Sequence, residues 1–226
     1  MSYKLILFFV FFGLLIIFSS FRRDRKKKIV FFGDSITQQG TDPKGYITIM
    51  KGILQQQDTN NYELIGAGIG GNKVYDLYLR IEQDVINHSP EIVVLFIGVN
   101  DVWHKSTHGT GTDADKFEEF YRAIIYKLQA AHAKVILCTP AVIGEKKNNA
   151  NQQDDDLNKY AAITRDIASD LQLPLCDLRE LFQNYNEKHN TSDAYSGMLT
   201  TDGVHLNEAG NRLVAEALLE KIEVLK

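Results

Sequence analysis

Residues 92–97 (IVVLFI) are six consecutive apolar side chains standing between Pro90 and Gly98. A run that short and uniform suits a strand covered on both faces, the environment of a parallel sheet with helices packed on either side. The neighbouring segments agree. Residues 29–32, 62–65, 134–138 and 173–176 read as further strands. Apolar spacing predicts helices over 45–57, 74–86, 115–132, 154–171 and 207–224. Asp154, Asp155 and Asp156 crowd the first turn of one of them, where acidic groups complement the helix dipole. Strands alternating with helices give an α/β sheet whose chemistry gathers beyond the carboxyl ends of the strands. The stretches to inspect are therefore 33–35, 66–72, 98–101, 139–140 and 177, with polar loops expected at 105–113 and 145–153 as a rim.

Charge divides the chain in two. The first 28 residues hold seven Lys or Arg and a single Asp, and the remaining 198 carry 18 basic against 28 acidic side chains, a net charge of −10. Residues 5–18 are an unbroken apolar run, extended by Ser19, Ser20 and Phe21, and followed by Arg22, Arg23, Arg25, Lys26, Lys27 and Lys28. That pattern reads as an export signal or uncleaved anchor over 5–21, within a 1–28 segment that ends in a basic collar. A periplasmic or extracellular domain follows from a signal-like start, whereas the collar favours a cytoplasm-facing anchor by the positive-inside rule. Membrane contact is expected through this segment alone, and residues 29–226 form the soluble domain. An acidic domain is a poor nucleic-acid binder. Two cysteines, Cys138 and Cys176, support no disulfide framework and read as buried free thiols.

Three strand ends hold groups with chemical potential. Gly33-Asp34-Ser35 puts a hydroxyl just past a buried strand, although Asp and Ser there equally read as a helix cap. Asp202-Gly203-Val204-His205 places a carboxylate three residues before an imidazole. That spacing lets the acid meet Nδ1 and leave Nε2 outward, as hydrolytic serine chemistry requires. Gly71 supplies a backbone N–H and Asn100 a side-chain amide, the donor types that stabilise a tetrahedral oxyanion. Asp34, Trp103 and His104 are expected to line the substrate pocket. His104 and His108 are four apart in a polar stretch without a third ligand, so no metal site is expected.

Four blocks in order carry a resemblance: FFGDSIT at 31–37, GAGIGGN at 66–72, IGVND at 97–101 and DGVHLNEAG at 202–210. Together they resemble the SGNH (GDSL-type) hydrolases. The resemblance implies a three-layer α/β/α sandwich with a five-stranded parallel sheet, of flavodoxin-like type. It implies Ser35 as nucleophile, His205 as base, Asp202 as its orienter, and an oxyanion hole from Ser35, Gly71 and Asn100, with no cofactor. The expected substrate is a small-molecule or carbohydrate ester, with a short acyl group such as acetyl. Lysophospholipase or thioesterase activity is the alternative, and a silent glycan- or lipid-binding module a third reading. Gly66, Gly68 and Gly71 also match the spacing of a dinucleotide fingerprint. Asp101 lies too far along for a ribose-binding acid, which counts against a nicotinamide oxidoreductase.

Overall fold

The computed structural model describes residues 26–56 and 61–225. The expected signal or anchor over 5–21 lies outside the described residues; among them, no helix is long and apolar enough to cross a membrane. The elements in chain order are β1 (Lys27–Gly33), α1 (Ser35–Gln39), α2 (Tyr46–Gln56), β2 (Tyr62–Gly68), α3 (Val74–Asp84), β3 (Ile92–Phe96), α4 (Val99–His108), α5 (Ala114–Ala130), β4 (Lys134–Cys138), α6 (Asp154–Asp170), β5 (Leu175–Cys176), α7 (Leu178–His189) and α8 (Glu208–Val224).

The five strands form one parallel sheet in the order β2-β1-β3-β4-β5. Every residue of β3 is buried, as its unbroken apolar sequence demands. Side chains of this kind contribute roughly 1.5–3 kcal/mol each when fully withdrawn from water. Helices α2 and α8 pack together on one face, and α3, α5 and α6 lie side by side on the other. The α/β/α sandwich is thus the one expected.

The strand order places the site. From β1 the chain moves outward to β2, then returns across β1 to β3, so the connections leave the β1 and β3 carboxyl ends in opposite directions. A crevice opens at such a switch point. Gly33-Asp34-Ser35 and Gly98-Val99-Asn100 are the residues that line it. Lys27 begins β1 at the opposite end of the sheet.

Two expectations are corrected. The segment 105–113 is not all loop, because α4 runs through His108 and ends at Gly109 (φ +64°). Its polar residues hid a helix whose Ser106 and Thr107 hydroxyls donate back to the Trp103 carbonyl at 3.1 and 3.0 Å. The fifth strand is only two residues long, Leu175–Cys176 within the expected 173–176, and a further helix, α7, follows it.

Candidate active site

Ser35 is the first residue of α1, so its N–H has no partner within its own helix. Asp34 caps that helix: its carboxylate accepts the Ile36 N–H at 2.9 Å and is almost wholly buried. Close approach explains the glycine block better than phosphate binding does. A Cβ on Gly68 would stand 2.1 Å from the Gln38 nitrogen, so β2 ends with its backbone pressed against α1.

Ser35 Oγ lies 3.0 Å from His205 Nε2, across 170 residues of sequence. The other ring nitrogen, Nδ1, lies 2.7 Å from Asp202 Oδ2. Asp202 Oδ1 accepts the N–H groups of Val204 and His205 at 2.9 and 2.8 Å, so one oxygen fixes the loop and the other fixes the ring. Burial alone pushes the Asp202 carboxyl up, but the His205 ring and these two N–H groups outweigh it and hold the group below the ordinary range. A carboxylate in that state keeps the Nδ1 proton and leaves Nε2 free to accept the hydroxyl proton of Ser35.

Asn100 and Asp101 fasten the 71–74 loop from the far side of the crevice. Asn100 Nδ2 donates to the Asn72 carbonyl at 3.1 Å, which uses one of its two N–H bonds. The Asp101 carboxylate accepts the Val74 N–H at 3.1 Å. Gly71 sits between these anchors at φ +77°, and its carbonyl accepts from Lys73 Nζ at 3.1 Å. Trp103 turns its ring edge-on to His205 at 6.3 Å, and His104 Cε1 comes within 3.8 Å of the place a Gly71 side chain would take. Partial burial, with Lys73 and His108 as positive neighbours, lowers the His104 pKa. All eight expected site residues therefore lie in or beside one crevice.

Three positioning groups escaped the sequence. Arg80, on α3, donates to the carbonyls of Gly33 and Ala67 at 2.8 and 3.0 Å and to Asn72 Oδ1 at 2.8 Å, tying two strand ends to the 71–74 loop. Lys73 is buried rather than solvated. Glu145, from a segment read as a polar rim, is fully buried and accepts three successive N–H groups, those of Met198, Leu199 and Thr200, at 2.8, 2.6 and 2.9 Å. It holds the stretch that leads directly into Asp202. Nothing local marks Glu145, because its partners lie more than fifty residues away.

Among the described residues no three His, Cys, Asp or Glu side chains converge as a metal site. His104 and His108 share a face of α4 with rings 4.5 Å apart. Cys138 and Cys176 are buried and unpaired on adjacent strands.

Two buried acids, Asp34 and Asp101, influence each other, and the first gives a stability prediction. Burial, with the Asp101 charge adding to it and the Ile36 N–H opposing it, raises Asp34 to about 7 from an ordinary 3.8. Burial also raises Asp101, to about 6. Between pH 3.8 and 7 folded Asp34 keeps a proton that the unfolded chain releases, so its contribution to stability falls as pH rises through that window. Asp34→Asn keeps an acceptor for Ile36 and removes the buried charge. Thermal melts should show a Tm gain of about 10 °C at pH 8, shrinking toward zero at pH 4. A gain that is the same at both pH values would disprove the assignment.

Residues 31–213 match the model of the GDSL-like Lipase/Acylhydrolase family. An acetylxylan esterase of Geobacillus stearothermophilus is 30% identical over 218 residues, covering 87% of this chain and 94% of that protein. A Bacillus subtilis (strain 168) protein described as the uncharacterized lipoprotein YqeF is 27% identical, covering 84% of this chain and 87% of its own length. Among solved structures, the acetyl xylan esterase AlAXEase superposes with a TM-score of 0.85 at 57% identity, over 86% of this chain and 99% of that one.

Proposed function

The chain belongs to the GDSL-like lipase/acylhydrolase family and is an ester hydrolase; we propose that it removes short acyl groups, acetyl foremost, from a carbohydrate through Ser35, His205 and Asp202. The observation that carries this is the unbroken chain of contacts from Ser35 Oγ to His205 at 3.0 Å and from His205 to Asp202 at 2.7 Å.

His205 Nε2 takes the Ser35 proton as Oγ attacks the ester carbonyl. The oxyanion that forms is met by the N–H groups of Ser35 and Gly71 and by the second N–H of the Asn100 amide. The imidazolium, stabilised by Asp202, then protonates the departing alcohol as the C–O bond breaks. Water enters, loses its proton to the same Nε2 and attacks the acyl-enzyme. The carboxylic acid departs and Ser35 recovers its proton. Each donor is fixed before substrate arrives: Ser35 by the Asp34 cap, Gly71 and Asn100 by the Asn72 and Asp101 contacts.

Two lines support a short acyl group on a polar alcohol. Relatives at 30% and 57% identity are described as acetylxylan esterases. The segment between β4 and α6 is polar over 145–153, with no long apolar stretch to sheath a fatty chain. We also propose that residues 1–28 export or anchor the domain of residues 29–226, in keeping with the likeness to a lipoprotein.

A series of p-nitrophenyl esters from acetate to palmitate, hydrolysed by the full chain, tests the acyl preference. The expected kcat/KM is highest for acetate and falls at least tenfold by octanoate. Highest activity on palmitate sinks the short-acyl reading in favour of a lysophospholipase.

A further inference from the structure

We propose that a polar cavity between the 141–153 segment and α7 is a second glycan subsite, holding a neutral sugar of the same chain whose ester is cleaved at Ser35. This rests on the carbohydrate reading above and adds to it a place and a set of residues.

The cavity measures about 220 Å³. Its lining decides the class of ligand. Arg179 and Asp154, both almost fully buried, pair at 2.6 Å. Lys146 and Glu187 supply one positive and one negative group at the exposed rim. Opposite charges in equal number select against an anion or a cation and suit an uncharged, hydroxyl-rich ligand. Amides complete the rim. Gln183 Nε2 is engaged with Asn149 Oδ1 at 3.0 Å, an arrangement that leaves Gln183 Oε1 as acceptor and Asn149 Nδ2 as donor. Hydroxyl groups both donate and accept, so one sugar ring can use both.

Tyr195 joins this cavity to the crevice of Ser35. Tyr195 is 46% exposed, and its ring edges lie against Gly144, in the cavity wall, and Gly203, beside Asp202. Those two glycines are themselves joined, the Gly144 N–H donating to the Gly203 carbonyl at 2.8 Å. Partial burial, then the carboxylates of Asp202 and Asp154, raises the Tyr195 phenol, as expected of a ring standing between the triad and the cavity. An aromatic ring backed by glycine presents an apolar face to the C–H face of a pyranose, while its hydroxyl stays wet. The path assigned to a chain of sugars accordingly runs from Ser35 past Gly203 and Tyr195 to Gly144 and on to Gln183 and Lys146.

The test compares p-nitrophenyl acetate, acetylated xylose and acetylated xylotetraose as substrates of the full chain and of its Gln183→Ala and Lys146→Ala variants. Each variant should raise KM for acetylated xylotetraose about fivefold, the worth of one hydrogen bond. The kcat on that substrate and the turnover of p-nitrophenyl acetate should not change. Equal KM values for wild type and both variants overturn the subsite, as does a wild-type KM that is no lower for acetylated xylotetraose than for acetylated xylose. If wild type cleaves p-nitrophenyl acetate but neither acetylated saccharide, the carbohydrate reading itself fails. Calorimetric titration with xylotetraose then decides the cavity separately. Saturable binding that Gln183→Ala weakens supports it, and absence of binding to wild type overturns it.

Discussion

Ser35→Ala should lower ester turnover by about 10⁴-fold or more while the protein remains folded. Such a loss follows from removing the atom proposed to attack the carbonyl, whereas the proposed oxyanion donors stay in place. The fold should tolerate the change because the Ser35 hydroxyl bonds to His205 at 3.0 Å rather than to the core, and helix α1 is held by the Asp34 cap. A net loss of about 1 kcal/mol is the scale for one such hydrogen bond. Two measurements check it together: steady-state hydrolysis of p-nitrophenyl acetate, and labelling with a fluorophosphonate, which requires a nucleophilic serine. Turnover within tenfold of wild type, or undiminished labelling, refutes the role given to Ser35. An unlabelled wild-type protein would instead point to a silent binding module.

Asp202→Asn should cost about 10³- to 10⁴-fold in kcat. The amide oxygen can still accept the N–H groups of Val204 and His205, which wild-type Oδ1 accepts at 2.9 and 2.8 Å, so the loop keeps its shape. What changes is the partner of His205 Nδ1. A carboxylate oxygen demands a proton there; an amide can satisfy an unprotonated Nδ1 by donating to it. The proton then moves to Nε2, the nitrogen that must accept from Ser35. KM should change little, because Asp202 touches the base rather than the proposed path of the substrate. A kcat within tenfold of wild type would remove Asp202 from the catalytic set.

Much of this site was legible because each block satisfies a local rule. The apolar run of β3 needs two covered faces, and the Asp202–His205 spacing brings acid and imidazole together within one turn. Other parts were legible but fainter: Leu178, Leu181, Phe182 and Tyr185 have helical spacing, and Asp177 caps them by accepting the Glu180 N–H at 3.2 Å. Glu145 shows a different limit. A carboxylate among Gly, Lys and Asn reads as solvated, and its burial depends on N–H groups from 198–200 that only the folded topology brings to it. Arg80 is similar, since its two carbonyl acceptors come from the ends of two strands.

The direction of β1 has a consequence for how the protein meets its surroundings. The strand enters the sheet at Lys27 and delivers Ser35 just beyond its other end, seven strand residues or about 20 Å away. Whatever pulls on the N-terminus, whether a bilayer, a fusion partner or a solid support, therefore pulls on the pole remote from the crevice. A copy held there has Ser35 at the pole of the sheet away from its point of attachment. Attachment through the N-terminus should accordingly leave hydrolysis intact.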